Sequence, residues 1–148
     1  MNKDEKWMKY AITEAIKAKD KDEIPVGSVI VLNSKIIARA HNQPISTNDP
    51  TAHAEIEVLR KAGKKLSNYR LNDSTIYVTL QPCAMCFGAM MHARIKRIVF
   101  GAHDLKTGVC GSCSGLDNNK FNHKIIVTGG ILEEECSQLL KSFFKLLR

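Results

Sequence analysis

Long apolar runs are missing from this chain of 148 residues, and none approaches the ~20 residues a helix needs to cross a bilayer. The opening MNKDEKWMKYAITEAIKAKDKDE is charged throughout and has no apolar stretch of the kind a secretory signal carries. A cytoplasmic protein without a membrane segment is therefore expected. Cysteine is sparse and odd in number, at 5, which argues against a disulfide framework and for metal or thiol chemistry. Acidic residues are outnumbered, 15 against 22 basic ones, giving a formal charge of +7 and a pI near 9.2. Such a surplus favours a polyanionic partner, because phosphate contacts release counterions.

What is present suits one soluble domain over residues 1–148. The composition is 44% hydrophobic and 25% charged, ordinary for a chain that buries a core. Trp7, Met8, Ala11, Ile12, Ala15 and Ile16 recur at helical spacing within residues 4–19. IPVGSVIVL (24–32) and KIIARA (35–40), joined by Asn33-Ser34, predict a β-hairpin. After the turn-rich HNQPISTNDP, Asp49 and Pro50 offer an N-cap and first helical position for a helix ending at Gly63. STIYVTL (74–80) reads as a strand, Pro82 opens a helix from Cys83 to about Ala93, and IKRIVFGA (95–102) is a further strand. A Gly-rich stretch follows from Thr107 to Asn119, then a short strand in HKIIVTGG and an amphipathic helix in ILEEECSQLLKSFFKLLR. Strands alternating with helices imply a layered α/β domain around a sheet.

The chemistry concentrates in TLQPCAMC (79–86). Cys83 and Cys86 could be a redox pair, since a Cys-x-x-Cys at a strand-to-helix junction lowers thiol pKa. They could also complete a closed structural zinc site with Cys110 and Cys113, although the intervening gap is longer than the about 15–20 residues usual there. A third reading brings in His53-Ala54-Glu55. Two thiolates and one imidazole make three protein ligands and leave a fourth zinc position for water, with the sulfurs three residues apart at a positive helix end. Glu55 would then remain uncoordinated and able to move protons. Residues two apart on a regular helix point in different directions, so spacing alone does not bring Glu55 to the metal.

The combination of His-x-Glu with a later Pro-Cys-x-x-Cys is the known signature of the zinc-dependent nucleobase deaminases, of the cytidine/deoxycytidylate deaminase superfamily, and the chain resembles them. IPVGSVIV, HNQPISTNDPTAHAEIEVLR, NYRLNDSTIYVTLQPCAMC, GAMMHARIKRIVFGAHDLKTGVCGS and GGILEEECSQLLKSFF carry the likeness from about residue 7 to 145. NYRL, GAHDLKTG and the terminal FF helix resemble the bacterial tRNA-specific adenosine deaminases in particular.

The resemblance implies a cytidine-deaminase-like three-layer α/β/α fold with a five-stranded mixed sheet. It implies a homodimer holding one zinc ion per subunit. The expected reaction is hydrolytic deamination of adenosine to inosine at the first (wobble) anticodon position of a tRNA. Residue by residue, it makes His53, Cys83 and Cys86 the zinc ligands and Glu55 the proton shuttle. Asn42 and the Ala54 backbone become contacts to the nucleoside, with His103 and Asp104 as further contacts to RNA; apart from the resemblance, Lys106 could meet a phosphate or be a solvated surface charge, and Phe143 and Phe144 could stack on RNA or pack in the core, with Phe144 the candidate contact. A base must leave the stack to reach such a pocket, and an anticodon loop presents splayed bases at low cost. Two departures stand out: Gln81 replaces the usual Glu before Pro-Cys, and VCGSCSGLDNN carries cysteines the family pattern does not require. Free nucleobase deamination at the same site, and a zinc-stabilised RNA-binding protein without catalysis, are the rival readings.

Overall fold

The computed structural model describes residues 2–109 and 122–147. The sequence-level expectations for Cys110, Cys113, most of the Gly-rich stretch and Arg148 lie outside the described residues. The first helix, α1 (Lys3–Asp20), starts at a reciprocal cap in which the Asn2 side chain accepts from Glu5 N–H while Glu5 accepts from Asn2 N–H. The hairpin follows as β1 (Gly27–Leu32) and β2 (Lys35–His41), turned by Asn33 and Ser34, both at positive φ.

A one-turn helix, α2 (Pro44–Thr47), occupies the segment expected to be plain loop. It is followed by α3 (Ala54–Leu66), β3 (Thr75–Leu80), α4 (Ala84–His92), β4 (Arg97–Ala102), β5 (Ile126–Thr128) and α5 (Glu133–Leu146).

The sheet order is β2-β1-β3-β4-β5. β1 runs antiparallel to β2 and β3, whereas β3, β4 and β5 are parallel, so the sheet is mixed as expected. Side-chain alternation divides the core into two layers. Ile30, Ile76, Val78, Ile98 and Phe100 pack with Val58 of α3 and Phe87 and Met90 of α4. On the opposite face Val29, Tyr77 and Val99 pack with Met8 and Ala11 of α1 and Cys136 of α5. β1, β3 and β4 are thus apolar on both faces, which is why they read as near-continuous hydrophobic runs rather than alternating ones.

α1 lies against β1 at Gly27, where any Cβ would collide with the Ala11 carbonyl oxygen. Beside it, Arg97 of β4 grips the Asp4 carboxylate with two nitrogens (2.8 and 2.6 Å), and Tyr77 donates its hydroxyl to the same group at 2.9 Å. This pins the start of α1 to the start of the parallel strands. β2 and β3 run in the same direction, so Asn42 and Gln81 both leave the sheet at the edge opposite that pin. The candidate site is built at this edge.

Candidate metal centre and active site

Its four side chains, His53, Glu55, Cys83 and Cys86, come from two helix N-termini. Asp49 does not start α3. Its carboxylate instead accepts from the Thr51 N–H (2.8 Å) and hydroxyl (2.7 Å), closing a tight turn before the helix. The helix begins at Ala54, whose N–H donates to Asn42 Oδ1 at 2.7 Å, and runs through Gly63 to Leu66 before a left-handed Ser67. His53 is therefore the residue before the helix, with extended backbone (φ −68°, ψ 153°). That conformation frees its ring from helical geometry, so His53 and Glu55 can serve one site although they are two apart.

Cys83 stands in the same relation to α4, extended at φ −80° and ψ 175°, and Cys86 lies in that helix's first turn. His53 Nδ1 is 3.8 Å from Cys83 Sγ and 3.5 Å from Cys86 Sγ, and the three ligand atoms all lie within 4.8 Å of one another. Nitrogen and sulfur bound to one tetrahedral zinc at about 2.05 and about 2.3 Å lie about 3.6 Å apart. The cluster is therefore already at coordination spacing, and among the described residues it is the one group so arranged.

The electrostatics of the cluster are those of groups that share protons. Cys86 and His53 both donate toward Cys83, which brings its thiol down to about 4 and holds it as thiolate. Cys86 shifts the other way, because it shares its proton with Cys83 and is buried. His53 is raised, chiefly by its hydrogen bond to Cys83. One negative charge is what the sulfurs hold between them, and a dication is what would make both thiolates at once.

Glu55 is buried at 5% exposure, and burial pushes its carboxyl up to about 7, with the Cys83 charge adding to the rise and the charge on His53 opposing it. The same carboxylate is within hydrogen-bonding reach of Cys86. A proton-accepting group poised near neutrality beside a metal cluster is suited to proton transfer at that metal.

The remaining expected contacts fall into separate groups. Asn42 and the Ala54 N–H are joined to each other, and among the described residues the Asn42 amide nitrogen is left as an unused donor. The Asp104 carboxylate accepts from Lys106 N–H, Thr107 N–H and the Thr107 hydroxyl, and so shapes its own loop. His103 pairs with Glu133 of α5 at 2.7 Å and stands edge-on to Phe100. Phe143 is buried and Phe144 is 44% exposed, lining a shallow groove with Lys141 and Lys145.

Gln81 explains its own departure from the family pattern. It is buried, and its Oε1 accepts the Asp104 N–H at 2.9 Å, tying the 103–109 loop to the segment that carries Cys83. A neutral amide oxygen can accept that bond in place of a carboxylate, without burying a charge. No periodicity or motif pointed to this tie, nor to the buried Glu23, because both act through backbone groups distant in sequence.

A mixed five-stranded sheet that presents a His–Cys–Cys cluster beside a buried carboxylate at one strand edge defines a metal-dependent hydrolytic site. The chain belongs to the deaminases: the MafB19-like deaminase family matches it over residues 1–148. It is 54% identical over 144 residues to the tRNA-specific adenosine deaminase of Haemophilus influenzae, covering 96% of this chain and 83% of that one. A structure solved in work on A-to-I editing by tRNA:A34 deaminases at the wobble position superimposes with a TM-score of 0.86 at 40% identity, covering 91% of this chain and 99% of that chain. The guanine deaminase of Bacillus subtilis superimposes with a TM-score of 0.65 at 42% identity, covering 70% and 66% respectively.

Proposed function

We propose that this chain hydrolytically deaminates adenosine to inosine at the wobble position of a tRNA anticodon, with one zinc ion held by His53, Cys83 and Cys86. The observation that carries the reading is the cluster of those three ligand atoms within 4.8 Å beside the buried Glu55. The extent of the likeness to tRNA-acting relatives, which exceeds that to guanine deaminase, and the +7 charge support RNA over a free base. When bound, zinc lowers the pKa of a water from about 15.7 to about 7, supplying a nucleophile at neutral pH.

Glu55 takes the proton from the attacking water and delivers it to adenine N1 as the C6–O bond forms. It then takes the remaining proton from the new C6 hydroxyl and hands it to the exocyclic nitrogen as the C6–N bond breaks and the C6=O bond forms, so water and adenosine become inosine and ammonia. Asn42 and the Ala54 backbone orient the nucleoside. His103, Asp104, Lys106 and the exposed Phe144 meet the flanking RNA.

The reading includes a homodimer in the cytoplasm. Among the described residues, no helix is long and apolar enough to cross a membrane.

The test is inosine formation on an anticodon stem-loop with adenosine at the first anticodon position, run beside free adenosine, cytosine and guanine. Turnover of the stem-loop alone is expected. Turnover of a free base alone overturns the tRNA assignment, and zinc binding without any turnover overturns the enzymatic one.

A further inference from the structure

Three buried carboxylates occur among the described residues, Glu14, Glu23 and Glu55. Glu14 pairs with Lys17 at 2.7 Å, and Glu55 belongs to the site. Glu23 is only 1% exposed and has no ion-pair partner among the described residues. Its two oxygens accept instead from the N–H groups of Ile45 (3.2 Å) and Ser46 (2.7 Å), at the N-terminus of α2. Burying a charge is costly unless its hydrogen bonds do something that a neutral group would not do as well.

What these bonds hold is the segment between two site residues. Residues 43–52 are closed on themselves by Gln43 N–H to Ala52 O, Thr47 N–H to Gln43 O, Asp49 N–H to Pro44 O and Ala52 N–H to Asp49 O. One end of the segment is Asn42, locked to Ala54, and the other is His53, whose N–H donates to Thr51 O at 2.8 Å. Apart from that bond to His53, the two bonds to Glu23 are the hydrogen bonds that join residues 43–52 to the rest of the described chain.

The geometry points to Glu23 as a positioning residue for the deaminase site: through α2 it holds the segment that joins Asn42, whose own N–H is held by Val26 O at 3.0 Å, to His53, and so helps to set the seat of the nucleoside. This rests on the function proposed above. Glu23 touches no reacting atom. Its role is to anchor the tip of a self-contained segment whose base carries the nucleoside contact and the histidine ligand.

The experiment compares Glu23→Gln, Asn42→Ala and the double variant on the anticodon stem-loop, with zinc content and thermal unfolding measured in parallel. Gln keeps the size but sets an NH2 group against one of the two N–H donors. The expected result is a rise in KM of about 10- to 100-fold, the value of one charge-assisted hydrogen bond. kcat should stay within about threefold and zinc at one per chain, because uniform binding is what has been removed. In the Asn42→Ala background the Glu23→Gln effect should fall below about threefold. Glu23→Asp, which keeps the charge but withdraws the oxygens, should raise KM less.

An unchanged KM, or an equal effect in both backgrounds, overturns the inference. So does a loss of activity that only tracks the folded fraction, or failure of both Glu23 variants to fold. Wild type that ignores the stem-loop and deaminates a free base overturns the tRNA reading instead, and the same comparison is then made on that base.

Discussion

Arg97→Met removes the pin between α1 and the parallel strands. The guanidinium makes two bonds to Asp4 and a third to Thr128 Oγ1 at 3.0 Å, and Tyr77 then remains Asp4's one hydrogen-bond partner. An exposed ion pair contributes about 0–1 kcal/mol, whereas breaking a fully buried one costs about 3–5 kcal/mol. The side chains of Arg97 and Asp4 are 29% and 18% exposed, so this pair sits between those limits, at about 2 kcal/mol after allowing for solvent screening.

For a domain of this size that corresponds to a fall in Tm of about 4–8 °C near neutral pH. Arg97 is the main reason that Asp4 stays below the ordinary carboxylate range. A folded pKa below the unfolded value means that the contribution is complete above about pH 5 and lost as pH falls through the depressed folded value. The Tm gap between wild type and variant, followed by circular dichroism from pH 7 downward, should therefore hold steady and then close below about pH 4. A gap under 1 °C at pH 7, or one that widens on acidification, refutes the reasoning.

Glu55→Gln should keep metal, measured by elemental analysis, while kcat on the stem-loop falls by about 10²–10⁴-fold or more; retained activity would remove Glu55 from the proton path. Cys86→Ala should abolish stoichiometric zinc, and chelation of wild type should lower stability by about 2.7 kcal/mol relative to zinc at 100 times its Kd, seen as a matching drop in Tm. Gly27→Ala places a Cβ against the Ala11 carbonyl and should cost about 1–3 kcal/mol by forcing α1 off β1, read by denaturant titration; a neutral result would mean that α1 is free to shift.

The helical periodicity of residues 4–19 and the hairpin around Asn33-Ser34 were legible because each is decided by neighbours in the chain. The start of α3 was not. Asp49-Pro50 has the chemistry of a helix start, but the Asp49 carboxylate bonds the Thr51 N–H and hydroxyl, and α3 waits four residues for Asn42 to receive the Ala54 N–H. That competition involves a residue on another strand end, which no local propensity records. Phe143 and Phe144 show the same limit. Adjacent residues on a helix differ by about 100° in direction, so one turns inward, and in the folded chain Phe143 is the buried one.

The candidate site residues were legible in the amino-acid sequence alone: a histidine, two cysteines three apart and a carboxylate are identities, and the chemistry they permit follows from their donor atoms. Only the tertiary structure decided that they meet. His53 reaches the sulfurs because it sits in extended backbone ahead of α3, and β2 and β3 run in the same direction, bringing Asn42 and Cys83 to one edge of the sheet. Glu23 becomes legible only there as well, since its partners are the N–H groups of α2. Side-chain chemistry is carried by each residue, whereas distances between segments are set by how strands pair and helices pack.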